Sequence, residues 1–249
     1  MIIQTEAIVL NTKRFSESSL ILTLFSLEKG KISVMVKGAL KAKNKYGNSL
    51  LLMSISNVTI YWKENRELQI MSDSESKFKL NNISNSLEKI ASGLAIIELL
   101  NAFVPIEDPN IDIYNLTVNS LKTLNDSNIN ESILRLRYTI KLFSKSGYKF
   151  NVSNCGVCNN LINSLGGKVA FSIALCSPLC ANCRDKNTYR AIDYSVLEII
   201  NNFLENEDKV DSSINLNDIS QLEEIINILV KHHVDGIRKL KVSQIASKL

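Results

Sequence analysis

Histidine is almost missing from this chain: only His232 and His233 are present, adjacent and far in sequence from any cysteine. Neither is assigned a metal or catalytic role. No cysteine lies outside residues 155–183. No apolar run approaches the roughly 20 residues that a membrane-spanning helix needs, so a membrane protein is not expected. There is no G-x-x-x-x-G-K-[ST] phosphate loop and no G-x-S-x-G nucleophile elbow. A zinc deaminase needs an H-x-E ahead of its second cysteine pair, and none precedes Cys180. No internal repeat or low-complexity linker interrupts the 249 residues. These absences describe a binding protein rather than an enzyme.

What is present is a soluble composition, 45% hydrophobic and 22% charged, with a formal net charge of +4. The excess of cations hints at a polyanionic partner, although the distribution of charge matters more than its total. The length allows two domains, or one large domain carrying an inserted module.

The cysteines carry the strongest signal. Cys155-Gly156-Val157-Cys158 is answered by Cys180-Ala181-Asn182-Cys183. Two such knuckles bring four thiols to one point, which is the spacing of a structural Zn²⁺ site with no open coordination position. Cys176 is the fifth. Pairing it with Cys180 would make a C-x-x-x-C knuckle but leave Cys183 idle, so the ligands are assigned as Cys155, Cys158, Cys180 and Cys183, with Cys176 a small buried thiol. Clustering argues against five ordinary core cysteines. The N-terminus carries no signal-peptide pattern, which favours a reducing cytoplasm over disulfides. Four thiolates around Zn²⁺ leave about −2, and Lys168, Arg184 and Lys186 are placed to offset it.

Residues 1 to about 80 alternate as strands: Glu6–Leu10, Leu20–Phe25, Lys31–Val36, Leu50–Trp62 and Glu67–Met71. Glu28-Lys29-Gly30 is a turn with glycine where a positive φ is needed. Five short strands joined as hairpins suit a small closed barrel, either an OB-fold or an SH3-like one. Beyond residue 80 the period becomes helical. Ile83, Leu87, Ile90, Leu94 and Ile97 share one face, and Asp112–Leu124 forms a second helix. Asn130 caps a third, which Gly147 closes. Asp193 caps a fourth, and a last long helix runs from about Ile219 to Val234 with Gly236 beyond it. The expected fold class is α+β: a nucleic-acid-binding barrel over residues 1–80, then a helical domain over 81–249 with a zinc module inserted at about 150–190.

Charge is concentrated in one place. Lys29, Lys31, Lys37, Lys41, Lys43 and Lys45 span a stretch without a single acidic residue. A loop with cations at alternate positions, held by a barrel, can follow a phosphate backbone. Lys13 and Arg14 add two more cations, and Phe15 beside them is able to stack on a base. A solvated loop is the bland reading of any charge run, but the barrel favours nucleic acid. Arg137, Lys141 and Lys145 fall on one helical stripe, with Arg135 nearby; they are the weaker DNA-binding candidates.

At this point the chain resembles a known family. Thr5-Glu6-Ala7-Ile8-Val9-Leu10, Glu17-Ser18, Glu28-Lys29-Gly30 and Lys37-Gly38-Ala39 look like the bacterial recombination mediator family RecO. So do Leu142-Phe143 through Gly147-Tyr148 ahead of Cys155-x-x-Cys158, and Phe171-Ser172 with Cys180-x-x-Cys183. The resemblance spans nearly the whole chain. One departure is Cys176-Ser177, where RecO-like sequences often carry Gly-Gly. The ending, Leu240-Lys241-Val242-Ser243, is only loosely similar. The resemblance implies an N-terminal OB-fold, one structural zinc, no catalytic activity, and a cytoplasmic, nucleoid-associated protein. It implies binding to single- and double-stranded DNA and annealing of complementary strands. It also implies cooperation with RecR, contact with the acidic C-terminal tail of single-strand-binding protein (SSB), and indirect help to RecA. The groove between the late helices is the place expected for that tail.

Two other readings compete. A zinc-thiol redox-switch chaperone would use Cys176 as a resolving thiol, but leaves the barrel and its lysines without a purpose. A zinc-ribbon transcription regulator would need a recognition helix, and none is visible.

Overall fold

Five strands of the computed structural model close into a barrel: β1 (Ile2–Arg14), β2 (Leu20–Ser26), β3 (Gly30–Val36), β4 (Ile55–Tyr61) and β5 (Leu68–Ser76). The structure describes residues 1–78, 80–126, 129–148, 150–162, 167–206 and 214–233. β1 pairs antiparallel with both β2 and β4, β2 with β3, and β4 with β5, while β3 runs parallel to β5. The ring order β1-β2-β3-β5-β4 is that of an OB-fold. The expectation of hairpins throughout is therefore corrected. β4 crosses to the far side of β1, and β5 returns to lie parallel to β3.

Local pattern explains the closure. β3 alternates strictly, with Ile32, Val34 and Val36 buried and Lys31, Ser33 and Met35 half-exposed. The inward row meets Ala7, Val9, Leu22, Leu24, Val58, Ile60 and Met71 in one core. Each such side chain stabilises the barrel by roughly 1.5–3 kcal/mol if fully buried. β1 serves two neighbours because Ile2–Ile8 pairs with β4 and Ala7–Arg14 with β2, and Leu10 is an extra residue between the pairs Val9↔Leu24 and Asn11↔Thr23. A bulge of this kind bends a strand around a barrel. Leu50 does not begin β4, as the apolar run suggested. It closes a 3₁₀ turn, Gly47–Leu50, and Ser49 ties that turn to the barrel by donating to Tyr46 O and accepting through its backbone carbonyl from Ser54 and Ser56.

The chain separates into two compact units, one running from Met1 through the second long helix and the other beginning at Ile129. The first unit adds α1 (Leu87–Phe103) and α2 (Ile111–Asp126) to the barrel. Ile83 falls in a separate 3₁₀ turn, because Ser86 caps α1 by accepting from Lys89 N. The segment after α1 adds an isolated parallel bridge, Ile106 to Lys31, and the Glu107 amide donates to Lys31 O at 3.0 Å.

The second unit holds α3 (Glu131–Lys145), β6 (Lys168–Ser172), β7 (Ser177–Leu179), the single-turn α4 (Ala181–Arg184), β8 (Arg190–Asp193), α5 (Tyr194–Glu205) and α6 (Leu216–His233). Its three strands form an antiparallel sheet in the order β7-β6-β8. Asn130 caps α3 as expected, its Oδ1 accepting from Ile133 N at 3.1 Å. Leu136, Ile140 and Phe143 of α3 are buried, as are Val196 and Ile200 of α5 and Leu222 and Leu229 of α6. Asp193 does precede α5, but its carboxylate makes no cap; it accepts from Gln221 Nε2 at 2.7 Å instead. The expected end of the last helix at Val234, and Gly236 after it, lie outside the described residues. Among the described residues no helix is long and apolar enough to cross a membrane.

Candidate metal centre and nucleic-acid interface

Small polar residues build the first cysteine knuckle. Asn151 Oδ1 accepts from the amides of Ser153 and Asn154, and the Asn154 side chain donates to Asn159 O at 3.0 Å. The Cys155 amide donates to Asn160 O, and Asn159 N returns to Cys155 O with Asn159 at φ +60°. The Gly156 amide donates to Pro178 O, and a Cβ at Gly156 would stand 2.7 Å from Ser177 Cβ. Only glycine lets the first knuckle press against β7 in this way. The second knuckle opens α4, with the Cys183 and Arg184 amides both donating to Cys180 O at 3.0 Å.

The two knuckles bring Cys155, Cys158, Cys180 and Cys183 together, with all four Sγ atoms within 4.8 Å of one another. In a tetrahedron of Zn–S bonds near 2.3 Å the sulfurs stand about 3.8 Å apart; Cys158 Sγ and Cys180 Sγ are 3.6 Å apart. Four soft donors in a closed tetrahedral set fit Zn²⁺. Their protonation points the same way. Burial opposes ionisation of Cys155, but the amides of Cys158, Cys180 and Val157 and the Cys158 thiol bring it down to about 6. Cys183 is pushed up to about 12, first by its hydrogen bond to Cys180 and then by burial and the remaining sulfurs. One thiolate forms readily and discourages its neighbours, so a cation is what allows all four to ionise. Lys168, Arg184 and Lys186 are exposed, with Arg184 Nε 3.6 Å from Asp185.

Cys176 stands outside this group. It is 3% exposed, its Sγ lies 3.6 Å from His233 Nε2, and burial pushes its thiol up to about 11. His233 Nε2 donates to Ile173 O at 2.8 Å, and Tyr148 OH donates to His233 O. This histidine is a packing and hydrogen-bonding residue. Cys176 has φ +48°, a left-handed conformation that favours glycine.

The proposed cations divide into two groups. Lys13 and Arg14 are exposed at the end of β1, where Arg14 Nε donates to Ser16 O at 3.3 Å, and Lys37, Lys41 and Lys43 are exposed on the loop after β3. That loop is joined to the β1–β2 loop, since the Leu40 amide donates to Ser18 O at 3.1 Å. The others have partners. Lys31 Nζ donates to Asn101 O at 2.8 Å, and burial lowers its pKa. Lys29 Nζ lies 5.0 Å over the Trp62 ring. Lys45 pairs with Asp73 at 3.1 Å and sits 5.5 Å from the Tyr46 ring centre.

The stripe on α3 is mostly structural. Arg135 is 6% exposed and pairs with Glu223 of α6 at 2.8 Å. Arg137, 8% exposed, and Lys141 both donate to Asn206 O, the carbonyl just past α5. Cations at a helix C-terminus satisfy its last carbonyls and its dipole. Arg135 and Arg137 are thus corrected from surface candidates to interior ties. Lys145 stands in the last turn of α3 itself.

Two features escaped sequence reasoning. Gln69, 1% exposed, clamps the β4–β5 loop by accepting from Lys63 N and donating to Lys63 O and Arg66 O. The signal was available: a lone amide on the inward parity of an apolar strand. The cavity of about 380 Å³ along α5 is lined by Glu198 and Glu205 as well as asparagines.

A family model described as "Recombination protein O N terminal" matches residues 1–78, and one described as "Recombination protein O C terminal" matches residues 84–242. Among similar curated proteins is "DNA repair protein RecO" of Salinibacter ruber, 39% identical over half of this chain and 48% of its own length. The protein of the same name from Rhodopirellula baltica is 28% identical over 74% of this chain and 67% of its own. That of a Thermoanaerobacter species is 26% identical over 94% of this chain and 93% of its own. For the Salinibacter protein the match therefore spans about half its length.

Proposed function

The chain belongs to the recombination protein O family, and from that premise we propose that it is a non-enzymatic, DNA-binding mediator of DNA repair. It binds single- and double-stranded DNA, anneals complementary strands, and works in the cytoplasm in association with the nucleoid. With RecR it helps RecA onto DNA coated by SSB, whose acidic tail it contacts. The barrel of residues 1–80 is the nucleic-acid module, and the remainder is the helical domain that carries the metal. Cys155, Cys158, Cys180 and Cys183 hold one Zn²⁺, which when bound crosslinks the two knuckles and takes no part in chemistry.

The observation that carries this reading is the edge of an OB-fold on which the end of β1 displays Lys13 and Arg14 beside the lysine loop of Lys37, Lys41 and Lys43. Phosphate neutralisation by exposed cations releases counterions, which supplies affinity without sequence preference. Two strands held by such a surface meet with their mutual repulsion screened. Lys29, Lys31 and Lys45 contribute less to this surface because each already has a partner. The redox-switch reading loses its support at Cys176, since a buried thiol with a raised pKa is a poor resolving nucleophile.

The test is the triple replacement Lys37→Ala, Lys41→Ala, Lys43→Ala, with binding to a fluorescent single-stranded oligonucleotide followed over a salt series. Three lost phosphate contacts should reduce the slope of log K against log salt by about 2, since each single-strand contact contributes about 0.7. Affinity at low salt should fall at least tenfold. Unchanged affinity and slope would remove DNA binding from these loops.

A further inference from the structure

Phe15 is 57% exposed at the start of the β1–β2 loop, and no ring or hydrogen-bond partner holds its side chain among the described residues. Leaving a phenyl ring in water is unfavourable by most of what its burial would contribute. The loop nevertheless fixes it there. The Phe15 and Ser16 amides both donate to Ser19 O, at 3.0 and 3.3 Å, and Arg14 Nε donates to Ser16 O. Ser18 O in turn accepts from Leu40 N, so the β1–β2 loop is braced against the lysine-bearing loop. Leu40 is itself 43% exposed.

Strand register places this ring relative to the cations. Arg14, Leu20 and Val36 lie abreast across β1, β2 and β3. Phe15 and Lys37 are each one residue beyond that row, two strand spacings apart, or about 10 Å. The ring stands on a rim that also presents Lys13, Arg14, Lys37, Lys41 and Lys43. Glu17 is the one acidic residue on either loop between Lys13 and Lys45.

An apolar, hydrogen-bond-free plane on a cationic rim fits a flat aromatic group attached to a polyanion. We propose that Phe15 is a stacking platform for an unpaired nucleobase, and that it makes this surface prefer single-stranded over duplex DNA. The inference rests on the DNA-binding reading above and adds to it the structural basis of strand preference. A phenyl ring reads no donor or acceptor pattern, so any base is accepted. In a duplex the base faces are already covered, and only the phosphates remain to be bound. Because the backbone hydrogen bonds hold Phe15 in place beforehand, little conformational freedom is lost on binding.

The experiment compares the full-length protein with Phe15→Ala and Phe15→Trp on three ligands of equal length: a thymidine single strand, the same strand with abasic sites, and a duplex. Phe15→Ala should weaken binding of the thymidine strand by between about 5- and 150-fold, the range for one lost base stack. Its salt slope should stay unchanged, its affinity for the duplex and abasic strand should stay within twofold, and Phe15→Trp should bind like the parent. Equal losses on all three ligands, or no loss on any, would overturn the platform. If the lysine variant loses binding while Phe15→Ala does not, stacking falls and the electrostatic reading stands. A parent protein that binds none of the three ligands overturns both.

Discussion

Cys155→Ser is expected to yield protein without stoichiometric zinc, and with the second unit melting on the order of 10 °C or more below the parent. Cys155 is 1% exposed, packs with Ala170 and Leu179, and receives the amides that draw its thiol down to about 6. Serine keeps the volume but is a hard, poorly ionised donor, so the tetrahedral thiolate set is lost. Structural zinc in small modules contributes on the order of 10–16 kcal/mol to folding at neutral pH. A domain stable by roughly 5–15 kcal/mol cannot lose several of these and keep the knuckles closed. The neighbouring strands β6 and β7 then lose the anchor that Gly156 N makes to Pro178 O. Cys176→Ser is the matched control, expected to keep its zinc because Cys176 lies outside the four-sulfur group. Metal analysis and melting curves of the two variants check the assignment; zinc retained by Cys155→Ser would refute it. Lowering the pH acts in the same direction as the substitution, since each ligand must shed its proton to bind.

Gly30→Ala is expected to destabilise the first unit by about 2–5 kcal/mol, from two causes that add. Gly30 has φ +64°, a left-handed conformation that costs an L-residue about 1–2 kcal/mol. A Cβ there would also stand only 2.5 Å from Asp108 O and 2.6 Å from Asp108 N. That neighbour is backbone, fixed nearby by the Glu107 amide bonded to Lys31 O, so it cannot swing aside as a flexible side chain would. Overpacking of this kind typically costs a further 1–3 kcal/mol. The turn offers no slack either, because Ser26 Oγ donates to Gly30 O and accepts from Lys29 N. Gly47→Ala is the control. Its φ is +53° but nothing lies within 4 Å of its added Cβ, so it should show the conformational cost alone. Urea unfolding distinguishes the two, and equal losses would show that the approach of Asp108 is not tight.

These two sites mark what could and could not be read from the chain before its structure. The cysteine spacing and the Glu28-Lys29-Gly30 turn were legible because each is a local arrangement with one dominant physical solution. The alternation of β3 and the cap at Asn130 were legible for the same reason. Non-local pairings were not. Nothing in the order of strands says that β5 will lie parallel to β3, since ring order depends on which edges meet after the chain has crossed the barrel. Arg137 and Lys141 looked like a solvent-facing stripe because helical spacing reports a shared face but not what covers it. The cover is the end of α5, whose Asn206 carbonyl takes both cations. Lys31 and Lys45 were likewise inseparable from Lys37, Lys41 and Lys43 until their partners, Asn101 and Asp73, were placed beside them.

The surface proposed for DNA is small, is formed by the end of β1 and two braced loops, and combines exposed charge with the exposed ring of Phe15. Strand annealing tests it most directly. Complementary oligonucleotides, bare and coated with SSB, are mixed with the folded, zinc-loaded protein across a salt series. Annealing is expected in both cases, declining as salt rises and largely abolished by the Lys37, Lys41 and Lys43 replacements. Absence of annealing at low salt by that protein would contradict it.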